Sequence, residues 1–260
     1  MKNSKLLTVI LLFSFIATGQ SQSYSGAEKF RNISISAGLR SFFSDPGTVT
    51  TSYVDDSPSM DRFMGSLDLD KYINRIGFAL NYNWGRKKGL SHQLGIEGVF
   101  GLSESAHIGY GMGFTIPIEF KYSTMLIRPA FHAMIGNNRI NLGYLQNNAA
   151  YIQINNTQIF DEELLIKLNT DTYILRPKVD FIIPIINFLT AYVSLGYDFG
   201  GMTNSDPELW FETVDGETFS DIPLEANKAE VTFNGSSIKT IPFDLNGPRI
   251  SIGISYYWEK

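Results

Sequence analysis

The chain has few residues that could carry out covalent chemistry. It contains three histidines and no cysteine among 260 residues, which excludes a thiolate nucleophile, a disulfide and a thiolate metal site. Ser91 and His92 are adjacent, so in a strand they point to opposite faces and cannot form a Ser–His pair. His107 follows Glu104 and Ser105 in a predicted short loop, where we expect it to be solvated. We therefore predict no enzyme activity, no catalytic residues, no metal centre and no cofactor.

A second group of charged or titratable residues occurs singly in segments of alternating polarity, on the face that is otherwise rich in Gly, Ser, Ala and Asn. They are Arg40, Glu97, Glu119, Lys121, Arg128, His132, Arg176, Lys178, Asp180, Asp198 and Arg249. Charges enclosed at low dielectric must be paired, so we predict that they form a charge network inside a closed structure. With Ser123 and Thr124 at the centre of a turn, Glu119 lies opposite Arg128, which predicts an ion pair between them.

Eight segments carry this alternation, and each has about the length of a membrane-spanning strand. They are 33–40, 76–84, 93–100, 112–122, 127–135, 173–181, 191–199 and 250–258. A soluble secreted barrel or sandwich, with its apolar face inward, would alternate in the same way. Small residues on the polar face and connections that alternate between short and long favour a membrane protein. We predict an all-β, closed antiparallel transmembrane β-barrel of eight strands, with short periplasmic turns and long outer loops.

The strand count has an alternative of ten. Residues 139–146 and 149–155 flank Asn147-Asn148, a hairpin signal, and either form a further spanning pair or extend the barrel above the membrane. The second interpretation is favoured because both segments are shorter than a usual span. Asp215-Gly216 and Asn234-Gly235 predict two more hairpins in the last loop. Residues 161–168 are interpreted as a short helix.

Both ends of the chain indicate export to an outer membrane. Residues 1–21, with basic Lys2 and Lys5 before an apolar run, are predicted to be a signal peptide that is cleaved within 19–23. The last strand sets an apolar face against Ser251 and Gly253 and ends in aromatic residues, including Tyr256 and Trp258. These four positions resemble the C-terminal assembly signal of bacterial outer-membrane barrels. Trp84, Tyr122, Phe188 and Trp258 would form an aromatic girdle at the periplasmic edge.

The mature chain, residues 24–260, resembles the porin-like outer-membrane β-barrel family common in Bacteroidota. The resemblance rests on the architecture and the terminal signal, and it brings no catalytic motif. It implies a location in the cell outer membrane, with both termini periplasmic. A protein in this location is expected to contact outer-membrane lipids, lipopolysaccharide and the barrel-assembly machinery.

Charge narrows the functional classes further. The formal net charge is −5 and basic tracts are absent from the sequence, which argues against nucleic-acid binding. The predicted outer loops are acidic, for example at Asp55, Asp161 and Glu212. We interpret them as solvated surface, with divalent cations that bridge lipopolysaccharide phosphates as an alternative. An eight-stranded barrel is filled by its own side chains, so a structural or surface-interaction role is favoured over a narrow pore or transporter for small solutes.

Overall fold

The protein consists of β-strands joined by turns and loops. The computed structural model describes residues 29–43, 45–86, 88–101, 103–120, 123–154, 157–186, 188–202, 208–223, 229–237 and 245–258. Its strands are β1 (Lys29–Phe43), β2 (Gly47–Val54), β3 (Arg62–Leu69), β4 (Tyr72–Arg86), β5 (Gly89–Phe100), β6 (Ser103–Phe120), β7 (Ser123–Gln146), β8 (Ile152–Ile154), β9 (Thr157–Ile159), β10 (Glu163–Ile186), β11 (Leu189–Met202), β12 (Glu208–Glu212), β13 (Thr218–Pro223), β14 (Ala229–Phe233), β15 (Ser236–Ser237) and β16 (Gly247–Tyr257). Within these ranges, no helix is long and apolar enough to cross a membrane. The predicted signal peptide and its cleavage positions lie outside the described residues.

Eight of these strands form a closed ring in the order β11-β16-β1-β4-β5-β6-β7-β10, with β10 paired back to β11. The strand registers show how it closes. A row of paired residues starts at Ile183 on β10 and returns to β10 at Tyr173, ten residues away. The row is Ile183, Ala191, Ile254, Ile35, Leu80, Ile96, Ile108, Ile135 and Tyr173. An offset of this size goes with strands tilted by roughly 35–45°. Because the offset is even, every strand keeps its apolar face on the same side.

The apolar face of the ring points outward. Ile35 and Ile252 are 53% and 65% exposed, whereas Ser251, on the other face, is 3% exposed. A shallow concave region of about 1340 Å³ follows the apolar row. Most of its lining residues, such as Ile35, Leu80 and Ile254, belong to the exterior, so it is outer surface and not lumen. This arrangement is the reverse of that in the soluble alternative, in which the same apolar residues would be enclosed.

The long connections fold into a second body with an apolar interior, which we call the cap module. It comprises β2, β3, β8, β9 and β12–β15 with the far ends of β7 and β10, residues 140–146 and 163–169. Its buried core includes Tyr53 and Phe211, whose ring centroids lie 5.0 Å apart. Gly143 has a φ of +103°, and a Cβ there would lie 2.7 Å from the Ser66 carbonyl oxygen, so β3 and β7 approach closely only because this residue is glycine.

The prediction of an all-β chain with eight strands in the ring, and not ten, is confirmed. The hairpins at Asp215-Gly216 and Asn234-Gly235 are also confirmed, as β12–β13 and β14–β15. The hairpin at Asn147-Asn148 is wrong, because the end of β7 pairs with the start of β10 and β8 pairs with β9. The helix over 161–168 is wrong for the same reason, since β10 begins at Glu163 and provides that partner strand.

The expected register of β6 and β7 is also wrong. Glu119 pairs with Thr124 and Phe120 with Ser123, so the turn is centred two residues earlier than predicted. Arg128 is therefore not opposite Glu119. The side chain of Glu119 lies outside the described part of the structure. Sequence alternation has a period of two and cannot distinguish turns that differ by two residues.

Candidate functional site

The interior of the ring is narrow, and its glycines make room for long polar side chains from the neighbouring strand. Gly111 on β6 lies beneath His132 of β7, where an added Cβ would come within 2.5 Å of the His132 Nε2 atom. Gly253 on β16 lies beneath Tyr192 of β11 in the same way, with 2.6 Å from that position to the tyrosine hydroxyl. The small residues of the polar face thus accommodate buried charged and aromatic groups.

One cluster of charges, the Glu97 cluster, joins five strands of the ring. Arg176 binds both acids: its Nη1 lies 2.7 Å from Glu97 Oε2, and its Nε and Nη2 donate to the Asp198 carboxylate. Arg249 Nη1 donates to Glu97 Oε2 at 3.0 Å. Arg40 lies 2.7 Å from Glu97 and 3.2 Å from Asp198, without hydrogen-bond alignment, so these are ion-pair contacts only. Glu97 is therefore shared by three guanidinium groups.

Arg75 connects this interior with the cap module. It is 2% exposed, and its Nη1 donates to Asn138 Oδ1 at 3.3 Å. Its guanidinium carbon lies 4.0 Å from the ring centroid of Phe42, a residue of the cap core, in a cation–π arrangement. Arg75, a charged residue of the ring, therefore packs directly against the apolar core of the cap module. Sequence reasoning missed Arg75, although its place one residue before the predicted strand at Ile76 puts it on the polar face.

A second cluster, the Asp180 cluster, lies nearer the short turns. Arg128 Nε and Nη2 donate to Asp180 Oδ2 at 2.9 and 2.6 Å, and Lys178 Nζ lies 3.1 Å from the same oxygen. Neutral amides complete the cluster: Asn83 Oδ1 accepts from Arg128 at 3.5 Å, and Gln93 Oε1 accepts from Lys178 at 3.1 Å. Asn83 and Gln93 were not predicted to belong to the charge network, because uncharged amides on the face of small residues do not stand out in the sequence as partners for charged groups.

Between the two clusters lies a small cavity of about 20 Å³, which holds about one water molecule. Glu97, Arg176, Lys178, Arg249 and His132 contribute to its lining. Ion pairs lie on both sides of it, so the described interior at this level is a packed polar core. Such a site can hold a small polar ligand, but it has no room for an organic substrate.

The structure thus brings together most of the predicted network. Arg40, Glu97, Arg176 and Asp198 meet in one cluster, and Arg128, Lys178 and Asp180 in the other. His132 lies beside the cavity between them, and its Nε2 has no hydrogen-bond partner among the described residues. Arg249 belongs to the first cluster.

The other two histidines have different surroundings. His107 was expected in a solvated loop, but it lies within β6, is 4% exposed and its Nε2 lies 3.0 Å from Thr172 Oγ1. The loop prediction was wrong because β6 already begins at Ser103, earlier than its hydrophobic pattern suggests. His92 lies on the exterior, stacked on Trp84 and hydrogen-bonded through Nδ1 to the Tyr110 hydroxyl.

These exterior aromatic residues form a belt at the short-turn end that includes the C-terminal motif. Trp258 stacks on Tyr82 with 6.1 Å between centroids, and Tyr82 stacks on Trp84 at 5.4 Å. Tyr256 faces outward and packs against Phe188, whereas Ser251 and Gly253 face the lumen. The four motif residues therefore lie on both faces of the last strand. Tyr256 and Trp258 belong to the outer aromatic belt, and Ser251 and Gly253 pack in the interior.

The acidic residues of the cap are largely engaged by protein donors. Asp55 is 2% exposed, and its carboxylate accepts hydrogen bonds from Ser57 N and Oγ, from Asp61 N and from Gln153 N. Burial, with the Asp55 carboxylate adding to the effect, raises the pKa of the Tyr53 phenol to about 12. Among the described residues, no group of three or more acidic or histidine side chains is arranged to hold a metal ion. Cation binding at the acidic loops stays a prediction.

No family model matches the chain, and no characterised protein matches its sequence. The class that the fold defines is that of all-β proteins with an eight-stranded closed ring. Solved structures with some similarity include the beta domain of the Bordetella autotransporter BrkA (9% identity, TM-score 0.30, covering 87% of this chain and 98% of that one). The translocator domain of autotransporter NalP from Neisseria meningitidis gives 8% identity and a TM-score of 0.17, with 98% of each chain covered. OmpT, an outer membrane protein of Vibrio cholerae, gives 10% identity and a TM-score of 0.11, with 91% of this chain and 100% of that one covered. Likeness at this level carries no argument about function.

Proposed function

We propose that this protein is an integral outer-membrane β-barrel. The observation that carries the proposal is the apolar row around the entire ring, exposed on the outside of a charged interior. Soluble proteins rarely expose a contiguous apolar surface larger than a few hundred Å², whereas a lipid-facing barrel requires one. Closure of the ring also pairs the backbone groups of its strands, as a span through lipid demands.

The orientation follows from the connections. The short turns after β4, β6 and β10 lie at the same end as the start of β1 and the end of β16, where Asn32 pairs with Tyr257. Outer-membrane barrels place short turns in the periplasm and long loops outside. On this basis both termini are periplasmic, and the cap module faces the cell exterior. The motif residues Tyr256, which is exposed, and Trp258, which is partly buried, are then available to the barrel-assembly machinery, and the row faces outer-membrane lipids.

Within that class we propose a structural or surface-interaction role with a closed lumen. The packed ion-pair clusters and the small cavity of about 20 Å³ between them support this over conduction. The cap module supplies a folded outer surface for interaction, and lipopolysaccharide is the partner nearest to it. The alternative is a narrow pore or transporter for small solutes, which would require these clusters to open.

Reconstitution of the mature chain tests both levels of the proposal. Refolding into lipid vesicles should give a heat-modifiable band on gels and a ring that resists protease while bound to membrane. Failure to associate with lipid under conditions that fold the protein would reject the membrane assignment. In planar bilayers we expect no stable conductance steps from the folded protein. Steps that change on Glu97→Arg or Arg128→Glu would instead establish the pore.

A further inference from the structure

We propose that the cavity between the Glu97 and Asp180 clusters binds a halide ion, chloride being the abundant one. The inference concerns the closed interior and does not depend on whether the ring crosses a membrane. It begins from the charges of the two clusters. Among the described side chains, five cations share three carboxylates there: Arg40, Arg128, Arg176, Lys178 and Arg249 against Glu97, Asp180 and Asp198.

This excess is enclosed, which makes it costly. The side chains of Arg176, Lys178 and Arg249 are each less than one-tenth exposed, and all three line the cavity. In a low-dielectric interior, cations that outnumber their counter-ions are strongly destabilising unless another negative charge reaches them. An anion in the cavity would supply that charge at the point between the two clusters.

The groups around the cavity suit an anion. Besides the three cations, Tyr192, Ser194 and Ser251 are among its lining residues. His132, 6% exposed, also lines it, and the Nε2 of this residue has no partner among the described residues and can donate a hydrogen bond in one tautomer. Among the described residues of the lining, Glu97 is the one carboxylate, and its Oε2 is already bound by Arg176 and Arg249.

The size of the cavity selects the kind of anion. A volume of about 20 Å³ accommodates about one water molecule, so a single-atom ion fits and sulfate, phosphate or a carboxylate does not. A water molecule would fit equally well but would leave the excess charge in place. The two occupants are therefore distinguished by their charge, which an experiment can measure.

The direct test is crystallography of the refolded mature chain in sodium bromide. We expect an anomalous difference peak in the cavity, within contact distance of Arg176, Lys178 and Arg249. A featureless cavity, or one that holds only a water without anomalous signal, would overturn the proposal. Since a crystal shows binding at high salt, a solution measurement must accompany it.

That measurement is thermal unfolding in detergent, in chloride against gluconate at equal ionic strength. A ligand that binds only the folded state at a hundred times its Kd raises the Tm of a protein of this size by about 5–10 °C. We expect this rise in chloride for the wild type and for the control Lys167→Gln, whose lysine binds Glu212 in the cap. Lys178→Gln should lose the rise. If that variant does not fold, the test is the unfolding midpoint of the wild type in chloride against that in gluconate. Equal midpoints in the two salts reject the halide site.

Discussion

Ile35 in the ring and Phe211 in the cap module are both large apolar side chains on strands, yet Ile35 is 53% exposed and Phe211 is fully buried. The charged residues show the opposite: Glu97 is 3% exposed in the ring, whereas Glu163 of the cap is exposed. Both regions alternate with period two, so the alternation by itself does not decide which face is enclosed. In the ring, closure of the sheet decides which face is enclosed. In the cap module, packing of one layer of strands on another decides it. The difference shows that one chain can build a ring that exposes its apolar face and a cap module that encloses it.

The largest expected effect comes from removing the acid that the ring interior shares. Glu97→Gln leaves Arg40, Arg176 and Arg249 with only part of their counter-charge, and breaking a buried pair costs about 3–5 kcal/mol. We expect a loss of this size in urea unfolding of the refolded protein. The control is Glu163→Gln, an exposed acid bound to Gln146, which should change stability by less than about 0.5 kcal/mol. Equal effects would mean that the interior charges are solvated.

A second pair of variants tests which surface meets lipid. Ile35 and Met64 are 53% and 58% exposed, the first on the ring and the second on the cap. Ile35→Arg should reduce the stability of the protein in vesicles by about 2–4 kcal/mol, the cost of arginine near a bilayer midplane. Met64→Arg should be nearly neutral, because its surroundings are aqueous. If both variants refold equally well in vesicles, the ring exterior does not face lipid.

Loss of a buried acid in the cap should have a smaller effect. Asp55→Ala leaves the donors of Ser57, Asp61 and Gln153 without their acceptor, at a cost of about 1–3 kcal/mol. We expect faster proteolysis within the cap while the ring keeps its heat-modifiable mobility. Asp68→Ala, which removes an exposed acceptor of Thr48, is the control and should be cleaved like the wild type. Simultaneous loss of ring and cap would show that they fold as one unit.

The smallest effect concerns alkaline pH. The folded phenol of Tyr53 has a pKa raised from 10.0 to about 12, so between these values the unfolded chain loses a proton that the folded cap retains. The stability of the cap should therefore fall as pH rises from 10.0 towards about 12. Tyr53→Phe should show a weaker decline over this window when unfolding is followed by protease sensitivity. An identical pH profile for the two proteins would contradict the assigned shift.

Predictability from sequence differed between ring and cap for a physical reason. In the ring, one face is enclosed along the entire strand, so alternation such as Ser251 and Gly253 against Ile252 and Ile254 locates the strand and its faces. Some cap segments, such as 163–169, are enclosed more evenly, and the alternation is interrupted there although other cap strands keep it. Leu164, Ile166 and Leu168 are buried together with Lys167, which left this segment open to interpretation as a helix.

The sequence also could not predict which charged side chains form ion pairs across the lumen. That Glu97 and Asp180 would be neutralised follows from the cost of buried charge alone. Their partners depend on an offset of ten residues around the ring, which results from the sum of all eight registers. The predicted pair of Glu119 with Arg128 was wrong because a turn shifted by two residues preserves every face and changes every partner.

The sequence by itself indicated eight alternating strands, with ten as an alternative. It also indicated which of their faces is polar and that charges on that face must find partners, because these depend only on local periodicity and on solvation. The tertiary structure alone decided that the apolar face lies outside, that the loops form a separate core, and that the charges form two clusters around a cavity. Those features depend on closure, on strand offset and on contacts between residues far apart in the chain, which no local pattern encodes.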